Sequence, residues 1–102
     1  MTRGEIWFAH VGRKRRPVLV LTRPDVIDVR ALVTVAEVTT SIRGIAAEVH
    51  FDREDAGLDR PAVINCDGLH TITKASLMTY AGSVSDEAME RVCAAVGYAL
   101  GC

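Results

Sequence analysis

"RKRRPVLVLT" (residues 13–22) is the stretch from which the fold can be read. Four successive cations, Arg13, Lys14, Arg15 and Arg16, run into Pro17 and then Val18-Leu19-Val20-Leu21. A short run that is aliphatic on both of its faces reads as a strand covered on both sides. Pro17 cannot donate to a β ladder, which places it at the start of a strand over 16–22, and its fixed φ stiffens the exit from the basic loop. The densest positive cluster of the chain therefore stands at the mouth of an internal strand, where a sheet would hold it still.

Further strands follow on either side. "EIWFAH" (5–10) reads as the first strand and "ALVTVAEV" (31–38) as the third. "AAEVHF" (46–51) alternates, with Ala47, Val49 and Phe51 on one side and Glu48 and His50 on the other. "DREDAGLDRP" (52–61) is a charged loop, "AVINC" (62–66) a fifth strand and "LMTYAGSV" (77–84) another extended piece. The tail changes period. Ser85 is placed to cap a helix, with Asp86 and Glu87 in its first turn, where the helix dipole favours anions. Met89, Val92, Cys93, Val96 and Leu100 then recur on one helical face. The fold class is α+β: a strongly curved, mostly antiparallel sheet of a small-barrel kind, finished by one C-terminal helix.

With 102 residues, half of them apolar and a quarter charged, the chain fits one globular domain over 1–102. Its core is small, which favours association with a second copy. The net charge of −1 conceals a split. Residues 1–30 carry seven cations against three anions, and residues 31–102 carry five against ten. The basic half suits an anionic partner. Cys66, Cys93 and Cys102 lack CxxC or histidine spacing, so a zinc site is not expected and Cys66 and Cys93 read as small core residues. "MTRGEIWF" carries a charge where a signal peptide is apolar, and no run approaches the length of a membrane span. The expectation is a reduced, cytoplasmic protein with free thiols and no metal or other cofactor.

Each strand ends in polar residues that its core does not need. "TTSIRG" (39–44) follows the third strand and "NCDGLHTI" (65–72) the fifth. If these ends are neighbours, one rim gathers Arg16, Thr39, Thr40, Ser41, Arg43, Asn65, Asp67 and His70. Guanidinium forks and hydroxyl donors in such a rim suit a phosphodiester. Each of these residues taken singly is also an ordinary turn former.

In order along the chain, "RGEIW", "RPVLVLT", "VTVAEVTTSIRG", "INCDGLHTI" with Lys74 just after, "LMTYAGSVSDEAMERV" and a closing "ALG" resemble the MazF/PemK family of toxin endoribonucleases. The resemblance covers essentially the whole chain. It implies an SH3-like curved barrel of the CcdB/PemK kind and a homodimer. It implies metal-independent cleavage of single-stranded RNA at short sequences, leaving a 2′,3′-cyclic phosphate and a 5′-hydroxyl. It also implies a cognate antitoxin, MazE-like, whose acidic tail lies over the RNA groove. By the same resemblance Arg16 and Thr39 are the catalytic pair and Asp67 lies near the substrate path.

Such a cleavage uses the 2′-OH as nucleophile and piles negative charge on the phosphoryl oxygens. An arginine fork and a hydroxyl donor stabilise that charge. A guanidinium keeps its proton at physiological pH, so Arg16 is suited to that task and not to removing a proton. Asp67 and His70 remain as candidates for the base, an imidazole being the side chain that changes charge near neutrality. Arg13, Lys14 and Arg15 would bind neighbouring phosphates at the groove entrance. Trp7, the one tryptophan, suits a core or dimer-interface position better than stacking on a base. The chain departs from the family in a short first loop, "HVGRKR", and in His70, where many members carry arginine. Two other functions fit the fold class: a CcdB-like gyrase poison, whose C-terminal Trp-Gly tail is missing from the closing Leu100-Gly101-Cys102, and a non-catalytic nucleic-acid-binding barrel.

Overall fold

The strand read from "RPVLVLT" lies inside a six-stranded antiparallel sheet in the computed structural model, which describes all 102 residues. Strands β1 (Glu5–Val11), β2 (Lys14–Val20), β3 (Leu32–Thr39), β4 (Glu48–His50), β5 (Val63–Thr73) and β6 (Leu77–Ser83) lie in the order β4-β5-β3-β2-β1-β6. A one-turn helix α1 (Pro24–Ile27) follows β2, and α2 (Asp86–Leu100) closes the chain.

β2 is buried on both faces, as its composition requires. Leu19 enters a core with Ile6, Ala36, Val38, Ile64 and Val92, whereas Val18 and Val20 enter a second core with Ala9, Val33, Val35 and Leu77. Helix α2 packs over β4 and β5 on the first side. On the second side, Ile27 of α1 plugs the smaller core. Fully burying one such aliphatic side chain is worth about 2 kcal/mol, and each core supplies several.

The sheet does not close on itself by hydrogen bonds, so the ladder does not establish the expected barrel closure. β4 and β6 are its two edges, with no ladder between them. The loop over residues 51–62 fills part of that gap. It leaves β4, packs against β6 and returns to β5, with Ser83 N donating to Asp55 O at 3.3 Å. Two glycines permit the contact: a Cβ at Gly82 would press on the backbone of Ala56, and one at Gly57 would run into the Ala81 carbonyl oxygen.

Several boundaries differ from the sequence reading. β2 begins at Lys14, so Pro17 sits within it. β3 pairs only with Val18–Val20, so Pro17 lies where β2 is bonded to β1 alone, a position that tolerates a missing N–H. β5 does not stop at Cys66 but runs to Thr73 through a bulge. Ser85 caps α2 by accepting from Ala88 N at 3.1 Å, as anticipated. The buried face of α2, however, is Ala88, Val92 and Ala95, while Cys93 and Leu100 are exposed. Small residues let the helix sit close to the sheet, which turns the longer side chains to its flanks. Glu48, expected on the outer side of its strand, is buried.

Gly57→Ala is expected to cost about 2 kcal/mol or more, because a left-handed φ of 68° and the Ala81 carbonyl both oppose a side chain. Gly12 has a similar φ of 64° but nothing within 4 Å of the added atom, so Gly12→Ala should cost only the backbone strain, about 1 kcal/mol. Thermal unfolding of the two variants should differ by several degrees; equal melting points would remove the packing role given to the loop.

Candidate functional site

The face of the sheet that carries the smaller core changes character along its length. Val33 and Val35 of β3 and Val18 and Val20 of β2 point into that core. Two residues further along each strand, with the same side-chain direction, come Glu37 and Thr39 on β3 and Arg16 on β2. The last β2–β3 rung pairs Val18 with Glu37. Beyond it the strands part, and the register continued one step of two sets Arg16 opposite Thr39. A cleft opens there.

Arg16 and Thr39 line both of its cavities. One, of about 210 Å³, has wholly polar walls: Arg16, Glu37, Thr39, Ser41, Arg43 and Asn65. The other, about 310 Å³, holds Lys14, Arg15 and Thr40, and adds Arg60 and Asp59 from the loop over residues 51–62. The rim expected from the strand ends is thus assembled for Arg16, Thr39, Thr40, Ser41, Arg43 and Asn65. Asp67 is exposed and lines neither cavity, and Arg13 sits on the exposed β1–β2 turn beside the cleft. Trp7 also lines neither; its ring meets Tyr80 edge-on at 5.7 Å.

Arg16 is aimed by Glu37, which sequence reasoning overlooked because a lone acid within "VAEV" looks like an outward-facing strand residue. Arg16 Nη1 is paired with Glu37 Oε1. The other carboxylate oxygen lies 3.4 Å from His70 Nε2, in contact but not aligned as a hydrogen bond. Arg16 Nε and His70 Nε2 are buried without any hydrogen-bond partner. This cluster depends on the β5 bulge. Glu37 pairs with Asn65 while its neighbour Ala36 pairs with Leu69, leaving Cys66, Asp67 and Gly68 looped out of the β3 ladder. Cys66 turns into the core beside Val92, and its thiol is pushed up to about 11, first by burial and then by the Asp67 and Cys93 charges, so it is no nucleophile. Gly68 leaves room for the Glu37 carboxylate, which a Cβ there would displace.

The Thr39 hydroxyl oxygen accepts from Ser41 N at 3.1 Å. That leaves its O–H free to donate toward the cleft. Arg15 lies over the Phe8 ring, 4.4 Å from its centroid, which steadies the guanidinium at the cleft wall.

The loop carrying Ser41 and Arg43 is held from beneath by Glu48. Its carboxylate accepts from Arg43 N at 3.0 Å and Gly44 N at 2.8 Å, and Arg43 Nε lies 3.5 Å away. Burial by itself would raise the Glu48 carboxyl, but the backbone N–H groups of Arg43, Gly44 and Ile45 and the Arg43 side chain outweigh it and hold the group below the ordinary 4.5. Nowhere in the fold do three His, Cys, Asp or Glu side chains gather in a way that would hold a metal ion. No helix is long and apolar enough to cross a membrane.

Residues 2–100 match the family model described as a PemK-like, MazF-like toxin of type II toxin–antitoxin systems. The chain is 34% identical over 101 residues to a probable endoribonuclease, MazF5, of Mycobacterium tuberculosis, covering 98% of this chain and 93% of that protein. It is 31% identical over 102 residues to a second, MazF2, with both chains covered in full. Among solved structures it superposes on the M. tuberculosis toxin MazF-mt6 with a TM-score of 0.88 and 37% identity, over 95% of this chain and 96% of that one. A mycobacterial endoribonuclease solved in complex with its cognate antitoxin gives a TM-score of 0.90 at 27% identity, over 99% and 95%.

Because the folded pKa of Glu48 is depressed, its support of the loop is fully present above the ordinary carboxylate range and is lost as pH falls below 4.5 through the folded value. Protection of the Arg43 and Gly44 amides against hydrogen exchange, referred to the intrinsic rate at each pH, should fall on acidification before that of the β2–β3 core. Glu48→Ala should expose Arg43 to trypsin at neutral pH. Unchanged protection of those two amides in Glu48→Ala would show that the loop is held by something else.

Proposed function

This chain belongs to the PemK-like, MazF-like toxins of type II toxin–antitoxin systems, and from that premise we propose that it is an endoribonuclease that cuts single-stranded RNA at the cleft between β2 and β3. The observation that carries the reading is the parting of β2 and β3, which brings Arg16 and Thr39 to the same two cavities. Arg16 supplies a guanidinium, and Thr39 a hydroxyl whose acceptor side is already engaged. Together they stabilise the negative charge that grows on the phosphoryl oxygens as the 2′-OH attacks, with no metal ion required. The products are a 2′,3′-cyclic phosphate and a 5′-hydroxyl.

Arg13, Lys14, Arg15 and Arg43 serve the flanking phosphates, and Arg60 joins them from the loop. In this reading Thr40, Ser41, Asn65 and, from the exposed bulge, Asp67 contact the bases next to the cut. A cleft of this charge also fits the acidic segment of a cognate antitoxin, which would block RNA by occupying the same wall. The working species is a homodimer, in line with the small core of a single copy.

Arg16→Ala should lower kcat by at least about a hundredfold with the fold intact, as loss of one preorganised donor does in comparable sites. Wild-type protein should cut RNA in the presence of EDTA and leave the 2′-deoxy oligonucleotide of the same sequence whole. RNA bound but uncut would point to a binding barrel, and stalled gyrase without RNA cleavage to a gyrase poison. The double variant Arg13→Ala/Lys14→Ala should weaken binding to all RNAs about equally and flatten the log–log salt slope by about 1.4, at about 0.7 per single-strand phosphate contact. A defect confined to one sequence would contradict phosphate contact.

A further inference from the structure

Glu37 is the one acid within the polar cavity, and the reading above gives it no chemistry. Resting on that reading, we propose that Glu37 is the proton acceptor for the attacking 2′-OH.

A phosphoryl transfer of this kind is in line, so the attacking and leaving oxygens stand on opposite sides of phosphorus. Glu37 and His70 lie 3.4 Å apart and therefore serve the same end of that axis, not one end each. Which end follows from charge. The Glu37 carboxylate is ion-paired with Arg16, hence unprotonated, and an unprotonated carboxylate accepts a proton and cannot donate one. That places it at the 2′-OH. The pairing also sets the distance: Arg16 holds the phosphate and Glu37 at once, so the acceptor stands one guanidinium width from the phosphoryl group. Arg16 Nε, buried and unpartnered, adds a free donor beside the pair.

In the step, the O2′–H bond breaks and its proton passes to a Glu37 oxygen. O2′ bonds to phosphorus, the P–O5′ bond breaks, and the departing O5′ takes a proton from solvent water. Glu37 then returns its proton to solvent, and the net change is RNA to cyclic phosphate plus 5′-hydroxyl. The charged or titratable groups facing Glu37 are Arg16 from β2, His70 from β5 and Arg43 from the loop after β3.

The test compares wild type, Glu37→Gln and Gly68→Ala on one RNA and on its analogue with a single 2′-deoxy sugar at the cut. Glu37→Gln should lower kcat by about a hundredfold or more while binding the uncleavable analogue about as tightly, since Arg16 keeps its hold on the phosphate. The rise of wild-type kcat with pH on the acid side should disappear in Glu37→Gln, a change that mere loss of structure would not produce. Gly68→Ala removes no reacting group but pushes on the Glu37 carboxylate, and it should lower kcat at least about tenfold with little change in melting temperature. Cleavage by Glu37→Gln equal to or faster than wild type, with wild type active, overturns this proposal alone and makes Glu37 a restraint on Arg16. Wild-type protein that cuts no RNA overturns the nuclease reading and this proposal together.

Discussion

Arg16, one step beyond the last bonded rung of β2 and β3, reaches diagonally to Glu37 on that rung, and the cleft is organised around this ion pair. Its value is placement. Arg16 is about a third exposed, and a pair of that exposure contributes of order 1 kcal/mol or less to stability. Without it, the flexible Arg16 side chain would have no fixed direction. With it, the guanidinium is held at the two cavities that Thr39 also lines. The pair is possible because the strands diverge just there: a ladder continued past Val18 and Glu37 would have left no opening for a ligand.

Three supports outside the cleft keep this arrangement. The β5 bulge removes Cys66, Asp67 and Gly68 from the ladder, and the missing Cβ of Gly68 makes space for the Glu37 carboxylate. Glu48 ties down the loop of Ser41 and Arg43 from beneath, paying for its own burial with backbone N–H groups. The loop over residues 51–62, pressed on β6 through Gly57 and Gly82, carries Arg60 to the far wall. Each support joins a different pair of elements, so the cleft is a property of the whole sheet.

The strands and the helix were largely legible in the sequence, because they rest on local periodicity and caps. The aliphatic run after Pro17, the alternation in β4 and the Ser85 cap each mark an element without reference to any other. The misreadings share a cause. "NCDG" looks like a turn in isolation, yet β5 continues through it because β3 is bonded on both sides of the bulge. Cys93 looked like a core residue by helical spacing, but α2 meets the sheet through Ala88, Val92 and Ala95, with Met89 and Val96 alongside, which leaves Cys93 exposed. Alternation set Glu48 on the side away from Val49, where the loop between β3 and β4 covers it.

The sequence alone determined which segments become strands, where the positive charge collects and which polar residues crowd the strand ends. These follow from nearest neighbours along the chain, whose side-chain direction is set by backbone period. Only the tertiary structure decided that Glu37 belongs with Arg16 and His70, that Asp67 stands outside the cavities and that Arg60 stands within one. Those relations depend on the register between strands far apart in sequence and on one bulge that shifts it. No local pattern of residue types records that shift, because it is the partner strand that selects it.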